Sequence, residues 1–147
     1  MWADPAVTRF IGGRVFNREE VWARLLRYAG HWQWMGYGFW AIEEKESGRF
    51  VGELGFAEFE RELTPRLRAP ESGWVLLPEF QRRGYALEAL HAALAWGDER
   101  FPETVCLIDP ENFHSIRLAG KCGFQEMARA TYKNQPTVIL ARERQTP

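Results

Sequence analysis

A chain of 147 residues with 46% hydrophobic content is long enough to fill one core, and residues 1–147 are expected to form a single domain. Its formal charge of −1, from 19 basic and 20 acidic residues, lacks the basic excess of a general nucleic-acid binder. No apolar run approaches the roughly 18 residues of a membrane span and no leader pattern opens the chain, so the expectation is a cytoplasmic protein with no membrane partner.

Asn17 opens the first expected helix, with Glu20 three positions on to complete a capping box. Val21, Trp22, Leu25, Leu26, Tyr28 and Ala29 share a helical stripe, and Gly30 is the expected stop. Residues 31–38 then read as an exposed, glycine-bearing loop. Its Trp32, Trp34 and Tyr37 either wall a ligand cleft or pack in the core, and His31 has a structural role. Core packing is the expected role of Phe39 and Trp40. Residues 37–42 and 50–56 read as strands joined by a polar hairpin at 43–49, and 61–70 as an exposed loop.

Residues 73–77 form a short apolar strand ended by Pro78, which lacks a ladder donor. A helix follows over about 84–96, with Leu87, Leu90 and Leu94 on one side and Gly97 as its C′ residue. Residues 104–108 form another strand, in which Cys106 reads as a small buried hydrophobe. Neither Cys106 nor Cys122 has a partner at a metal-ligand spacing, so no metal site is expected. A helix over about 114–122 stops at Gly123. Strands at 124–130 and 137–141 close the chain around a hairpin at 133–136. The strand–helix–strand in the middle demands a parallel crossover and the hairpins demand antiparallel pairs. The expected fold class is therefore α/β, a mixed sheet flanked by helices.

The chemistry concentrates after the 73–77 strand, in Gln81-Arg82-Arg83-Gly84-Tyr85-Ala86. A helix N-terminus presents unpaired amides and partial positive charge, which suits a phosphate group. Gly84 keeps no side chain between backbone and anion, Ala86 keeps the first turn thin, and Arg82 and Arg83 add charge. A bare glycine turn with two solvated arginines would look the same. The glycine patterns of nucleotide-triphosphate and dinucleotide loops are both absent.

The surroundings of that turn carry a resemblance. Residues Glu71-Ser72-Gly73-Trp74-Val75-Leu76-Leu77-Pro78, with Gln81-x-x-Gly84-Tyr85-Ala86-x-Glu88-Ala89, resemble the acetyl-CoA motif of the GNAT superfamily of N-acetyltransferases. Asn112-x-x-Ser115-Ile116-Arg117-Leu118-x-x-Lys121-x-Gly123-Phe124 resembles its second signature. The likeness spans about residues 36–141 and is nearest the ribosomal-protein-alanine acetyltransferase branch. It implies the family's mostly antiparallel sheet, here without the usual first strand and helix, and acetyl-CoA as co-substrate. It further implies that backbone groups of Val75, Leu76 and Leu77 pair with the pantetheine like an added strand. The amides of Gln81, Arg82, Arg83, Gly84, Tyr85 and Ala86 would hold the pyrophosphate. Asn112 would bind the pantetheine or a fixed water through its side-chain amide, Ser115 would lie near the thioester sulfur or a phosphate, and Lys121 would cap a helix or meet the 3′-phosphate.

Acetyl transfer to an amine needs a base for the amine proton and a donor to the leaving thiolate. Glu71, at the entry to the cofactor strand, is the expected base, with Glu53 and Glu58 as alternatives. Glu53 would carry a raised pKa if it points inward. Ser115 is the expected donor and Tyr132 its alternative. The acceptor is expected to be a protein N-terminus or a small amine, bound beside Trp32, Trp34 and Tyr37. A second reading is an acyl-CoA-binding module without catalysis. An edge strand left bare by the missing element would suit a homodimer.

Overall fold

The computed structural model describes residues 1–145. In chain order the elements are α1 (Pro5–Thr8), α2 (Arg18–Met35), β1 (Phe39–Glu43), β2 (Phe50–Ala57), β3 (Glu71–Leu76), a 3-10 turn at Pro78–Phe80, α3 (Tyr85–Asp98), β4 (Glu103–Ile108), α4 (Phe113–Lys121), β5 (Gln125–Tyr132) and β6 (Gln135–Glu143). The six strands form one sheet in the order β1-β2-β3-β4-β6-β5. Among the described residues only the β3–β4 pair is parallel, with α3 carrying the chain across. This is the mixed, mostly antiparallel α/β architecture expected. Among the described residues no strand precedes β1, which is therefore a sheet edge. Also among them, no helix is long and apolar enough to cross a membrane.

Strand alternation sorts side chains onto two faces. On one, Leu54 and Phe56 of β2, Cys106 and Ile108 of β4, and Val138 and Leu140 of β6 pack against Leu90, Ala93 and Leu94 of α3 and Ala119 of α4. On the other, Val75 of β3 meets Trp2, Val7 and Val21, and the Phe39 ring stacks on Tyr28 of α2 at 4.9 Å. Two glycines of β2 sit where chains crowd closest: a Cβ would lie 2.2 Å from the Gly38 carbonyl oxygen at Gly55 and 2.2 Å from the Val75 carbonyl oxygen at Gly52.

Four of the boundaries that differ from the sequence reading have a clear physical reason. First, α2 does not stop at Gly30 but runs on to Met35, where Gly36 in the left-handed region (φ 73°) donates its amide to the Trp32 carbonyl. His31, Trp32 and Trp34 are thus helical, not part of a loop, and tertiary bonds explain the extension. Trp32 Nε1 donates to the Phe39 carbonyl at 2.9 Å, and its ring meets Trp40 edge-on at 5.2 Å. Second, β3 starts at Glu71, because its antiparallel ladder with β2 continues to the pair Ala57↔Glu71. Third, α3 passes through Gly97, whose missing side chain makes room for the Phe56 ring. Fourth, the last hairpin turns on Lys133 and Asn134, both at positive φ (49° and 62°), as a two-residue type I′ loop requires. Pro136 instead lies within β6 opposite Thr131.

Candidate active site

β3 and β4 are in register only at Glu71↔Val105, where the Val105 amide donates to the Pro70 carbonyl at 3.0 Å. Beyond that point the two strands part, and one edge of β3 is bare. Its ladder with β2 decides which peptide groups face the gap. The Leu77 amide donates to the Val51 carbonyl at 2.9 Å. By the two-residue alternation of antiparallel pairs, the peptide groups of Val75 also turn toward β2, and those of Trp74 and Leu76 turn toward the gap. Gln81 Nε2 donates to the Leu76 carbonyl at 3.0 Å, leaving the Leu76 amide and both groups of Trp74 open. Of the expected trio Val75, Leu76 and Leu77, only Leu76 turns its peptide groups toward the gap, where Trp74 joins it. Residue types mark the strand, but its parity depends on the bond to Val51.

The gap opens toward the carboxyl ends of two parallel strands, the place where open α/β sheets bind ligands. The turn from Gln81 to Ala86 stands there. The Gln81 amide is spent on the Pro78 carbonyl at 3.2 Å, so it leaves the expected phosphate cradle. Within the described residues the amides of Arg82, Arg83, Gly84, Tyr85 and Ala86 make no hydrogen bond to other elements. Arg82 and Gly84 both adopt positive φ (59° and 91°), which curls these amides together at the start of the 14-residue α3. A Cβ on Gly84 would meet nothing within 4 Å, so its glycine answers to backbone conformation and not to crowding. Arg83 lies 3.6 Å from Glu44 and 5.2 Å from the centre of the Tyr85 ring, and Tyr85 donates its hydroxyl to the same Glu44.

Across the gap, α4 begins just past the end of β4. Asn112 is its N-cap, and its Oδ1 accepts from the Ser115 amide at 3.2 Å. The cap leaves the Asn112 side-chain NH2 free to donate. Asn112 and Ser115 are both half-buried, and His114 beside them is exposed, as is His91.

At the opposite, amino end of β3 lies a cleft of about 440 Å³ lined by residues 57–61 and 66–69 and by Glu71. Glu71 is buried and receives both Nε and Nη2 of Arg61, at 2.6 and 2.7 Å. The Arg61 guanidinium also stacks on Phe59 (4.7 Å) and on Tyr132 (4.8 Å), so one loop arginine ties β3 to the last hairpin. The sequence gives no sign of this role, since Arg61 is one charge among several in an irregular segment. Glu58 lines the same cleft and accepts from the Tyr37 hydroxyl at 2.7 Å. Burial, and then that bond, push the Tyr37 hydroxyl above its usual pKa. His31 braces the corner: Nε2 accepts from the Glu58 amide at 2.9 Å, so Nδ1 carries the proton that meets the Tyr37 carbonyl at 2.6 Å.

The acceptor-wall residues therefore part company. Trp32 is held against Trp40, Tyr37 is buried at the back of Glu58, and Trp34 stands 86% exposed on α2. Trp32 and Trp34 are helical, and of the three Tyr37 alone lies in the short α2–β1 connection. Glu53 points inward from β2, 9% exposed, and accepts from the Tyr28 hydroxyl at 2.5 Å. Burial raises its pKa, against the pull of Tyr28, Arg24 and Trp2. Arg24 lies 3.9 Å over the Trp2 ring and completes this layer between α2 and the sheet. Cys106 and Cys122 are buried free thiols, and burial raises the pKa of both. Among the described residues no group of His, Cys, Asp and Glu is placed to hold a metal ion.

Residues 1–125 match the model of the acetyltransferase (GNAT) domain. The uncharacterised protein YkkB of Bacillus subtilis (strain 168) is 32% identical over 112 residues, which span 74% of this chain and 63% of YkkB. A structure described as a GnaT-family acetyltransferase from Bordetella pertussis superposes with a TM-score of 0.81 at 31% identity, covering 93% of this chain and 86% of that one. Spermidine N-acetyltransferase from Vibrio cholerae, solved with CoA and spermine, shares the fold at a TM-score of 0.74 but only 15% identity, covering 97% and 85%. Ribosomal-protein acetyltransferases are also among the structural neighbours, so no one branch is singled out.

Proposed function

The chain belongs to the acetyltransferase (GNAT) family, and we propose that it is a cytoplasmic acetyl-CoA-dependent N-acetyltransferase, a single domain over residues 1–147, acting on a primary amine. The observation that carries the reading is the bare edge of β3, which opens between two helix N-termini at one end and reaches a carboxylate-lined cleft at the other. Acetyl-CoA would supply the acetyl group as an activated thioester. The residues fit it. Trp74 and Leu76 offer peptide groups for an amide-bearing arm, the amides from Arg82 to Ala86 suit a diphosphate, and Asn112 has a free donor. The buried hydroxyl of Ser72, the first residue past the last β3–β4 bridge, has no partner within the protein.

In this reading the 440 Å³ cleft takes the amine, either a protein N-terminus or a small molecule. Glu71 accepts the amine proton, held in orientation by Arg61, and Ser115 in the first turn of α4 donates toward the leaving thiolate. Trp32, Tyr37 and Trp34 serve the acceptor side only through the α2–β1 corner that fixes Glu58. Catalysis in this scheme is chiefly positioning of two reactants along one strand. Both oxygens of Glu71 are engaged by Arg61, and this favours a second reading, an acyl-CoA-binding module without turnover.

A thiol-release assay with acetyl-CoA and a panel of amines, run beside thermal shift with CoA, separates the two. Transfer predicts saturable stabilisation by CoA and amine-dependent thiol release. Stabilisation without release on any amine supports the binding module, and no stabilisation by CoA sinks both. Gly84→Val forces a β-branched residue to φ 91° and should weaken CoA binding about tenfold or more, equivalent to at least ~1.4 kcal/mol.

A further inference from the structure

The outer face of α2 is apolar where a surface helix should be polar. Trp22, Leu25 and Leu26 are 61%, 52% and 54% exposed, and Ala23 and Ala29 are exposed beside them. Trp22, Leu26, Ala29 and Gln33, spaced i, i+4, i+7 and i+11, form one line along the helix. The inner face is already occupied: Val21 packs into the Trp2–Val7–Val75 cluster, Tyr28 bonds Glu53, and Trp32 meets Trp40. The helix thus carries two apolar faces, and only one of them is covered.

We propose that the uncovered face pairs with the same face of a second copy of this chain, the two α2 helices packing antiparallel about a two-fold axis beside Leu25 and Leu26. Three features select this occupant. The face is self-complementary in size: Trp22 stands seven residues before Ala29, so the antiparallel register seats each Trp22 over the partner's small Ala29 and Gly30. The middle of the face is also uncharged. Arg24 is drawn inward over Trp2 (3.9 Å) and Arg27 sideways over Phe59 (5.3 Å), the reverse of a membrane-surface helix, which flanks its apolar stripe with free cations. Arg18 and Glu19, the charges nearest the stripe, fall at its end, where solvent reaches them. Finally, the area suits a reversible dimer. The stripe exposes on the order of 400 Å² of apolar surface, which with a polar rim approaches the ~800 Å² per partner of a standard interface.

The test is sedimentation velocity of the full chain from about 1 to 100 µM, with two variants. Wild type should shift from monomer to dimer across this range. Leu26→Glu should weaken association at least tenfold while keeping the wild-type unfolding temperature, since its side chain is over half exposed. Leu26→Cys, next to the axis, should form an intermolecular disulfide on mild oxidation, whereas Glu19→Cys, far from it, should not. The native thiols stay silent because both are buried. A monomer at 100 µM would overturn the proposal. So would a dimer that Leu26→Glu leaves intact, or binding of wild type to anionic phosphatidylserine vesicles that Leu26→Glu abolishes.

Discussion

At Glu53 two effects compete. Burial on β2 favours the neutral acid, while hydrogen bonds from Tyr28 and Trp2 and the charge of Arg24 favour the anion; burial prevails and the folded pKa is raised. A raised folded pKa means that the native state binds the proton more tightly than the unfolded chain. The stability that Glu53 contributes is therefore fully present below the ordinary carboxylate pKa of about 4.3 and is lost as pH rises through the folded value. Glu53→Gln removes this titration. The difference in unfolding temperature between variant and wild type should move in the variant's favour from pH 4.5 to pH 8. A constant difference over that range would show that Glu53 does not titrate above its unfolded value. Glu71, one strand away, differs by its partner: Arg61 binds it through two bonds, which fixes its orientation at the cleft wall.

At the scale of elements, β2 depends on the absence of side chains. A Cβ at Gly55 would approach the Gly38 carbonyl oxygen to 2.2 Å and the Phe39 Cα to 2.5 Å, both backbone atoms that cannot rotate away. Gly55→Ala should cost about 2–4 kcal/mol, read as a lowered denaturant midpoint, because β1 must shift away from β2. A cost under ~0.5 kcal/mol would mean that the two strands are not held this closely. Gly30 is the contrasting case. Nothing lies within 4 Å of its would-be Cβ, and it does not cap α2, which runs on to Met35. Sequence reading places the helix stop there because glycine favours helix ends, and it cannot see that Trp32 and Trp40 carry the helix onward. The same limit hides Arg61, which becomes a link between β3 and the last hairpin only once the loop folds back. What local chemistry does announce is the capping box of Asn17 and Glu20 and the glycine at the head of α3, and both stand where their residues predict.

For the whole molecule, the sheet is two three-stranded halves, β1-β2-β3 and β4-β6-β5, joined by one bridge at Glu71↔Val105 and by the packing of α3. The far end of α3 is fastened to the second half by Arg142, which takes Asp98 at 2.6 and 2.8 Å and the Cys122 carbonyl at 2.9 Å. With the halves fixed at one end, the opening between β3 and β4 is a built feature, and the central claim is that coenzyme A lies along it. Residue-resolved amide exchange by NMR, with and without saturating CoA, tests this most directly. With CoA in the opening, exchange should slow at Trp74 and Leu76 and at the turn amides from Arg82 to Ala86, and should stay unchanged at Val75 and Leu77 because β2 already holds their peptide groups. Unchanged exchange at Trp74 and Leu76 under saturating CoA, or protection confined to another part of the sheet, would contradict it.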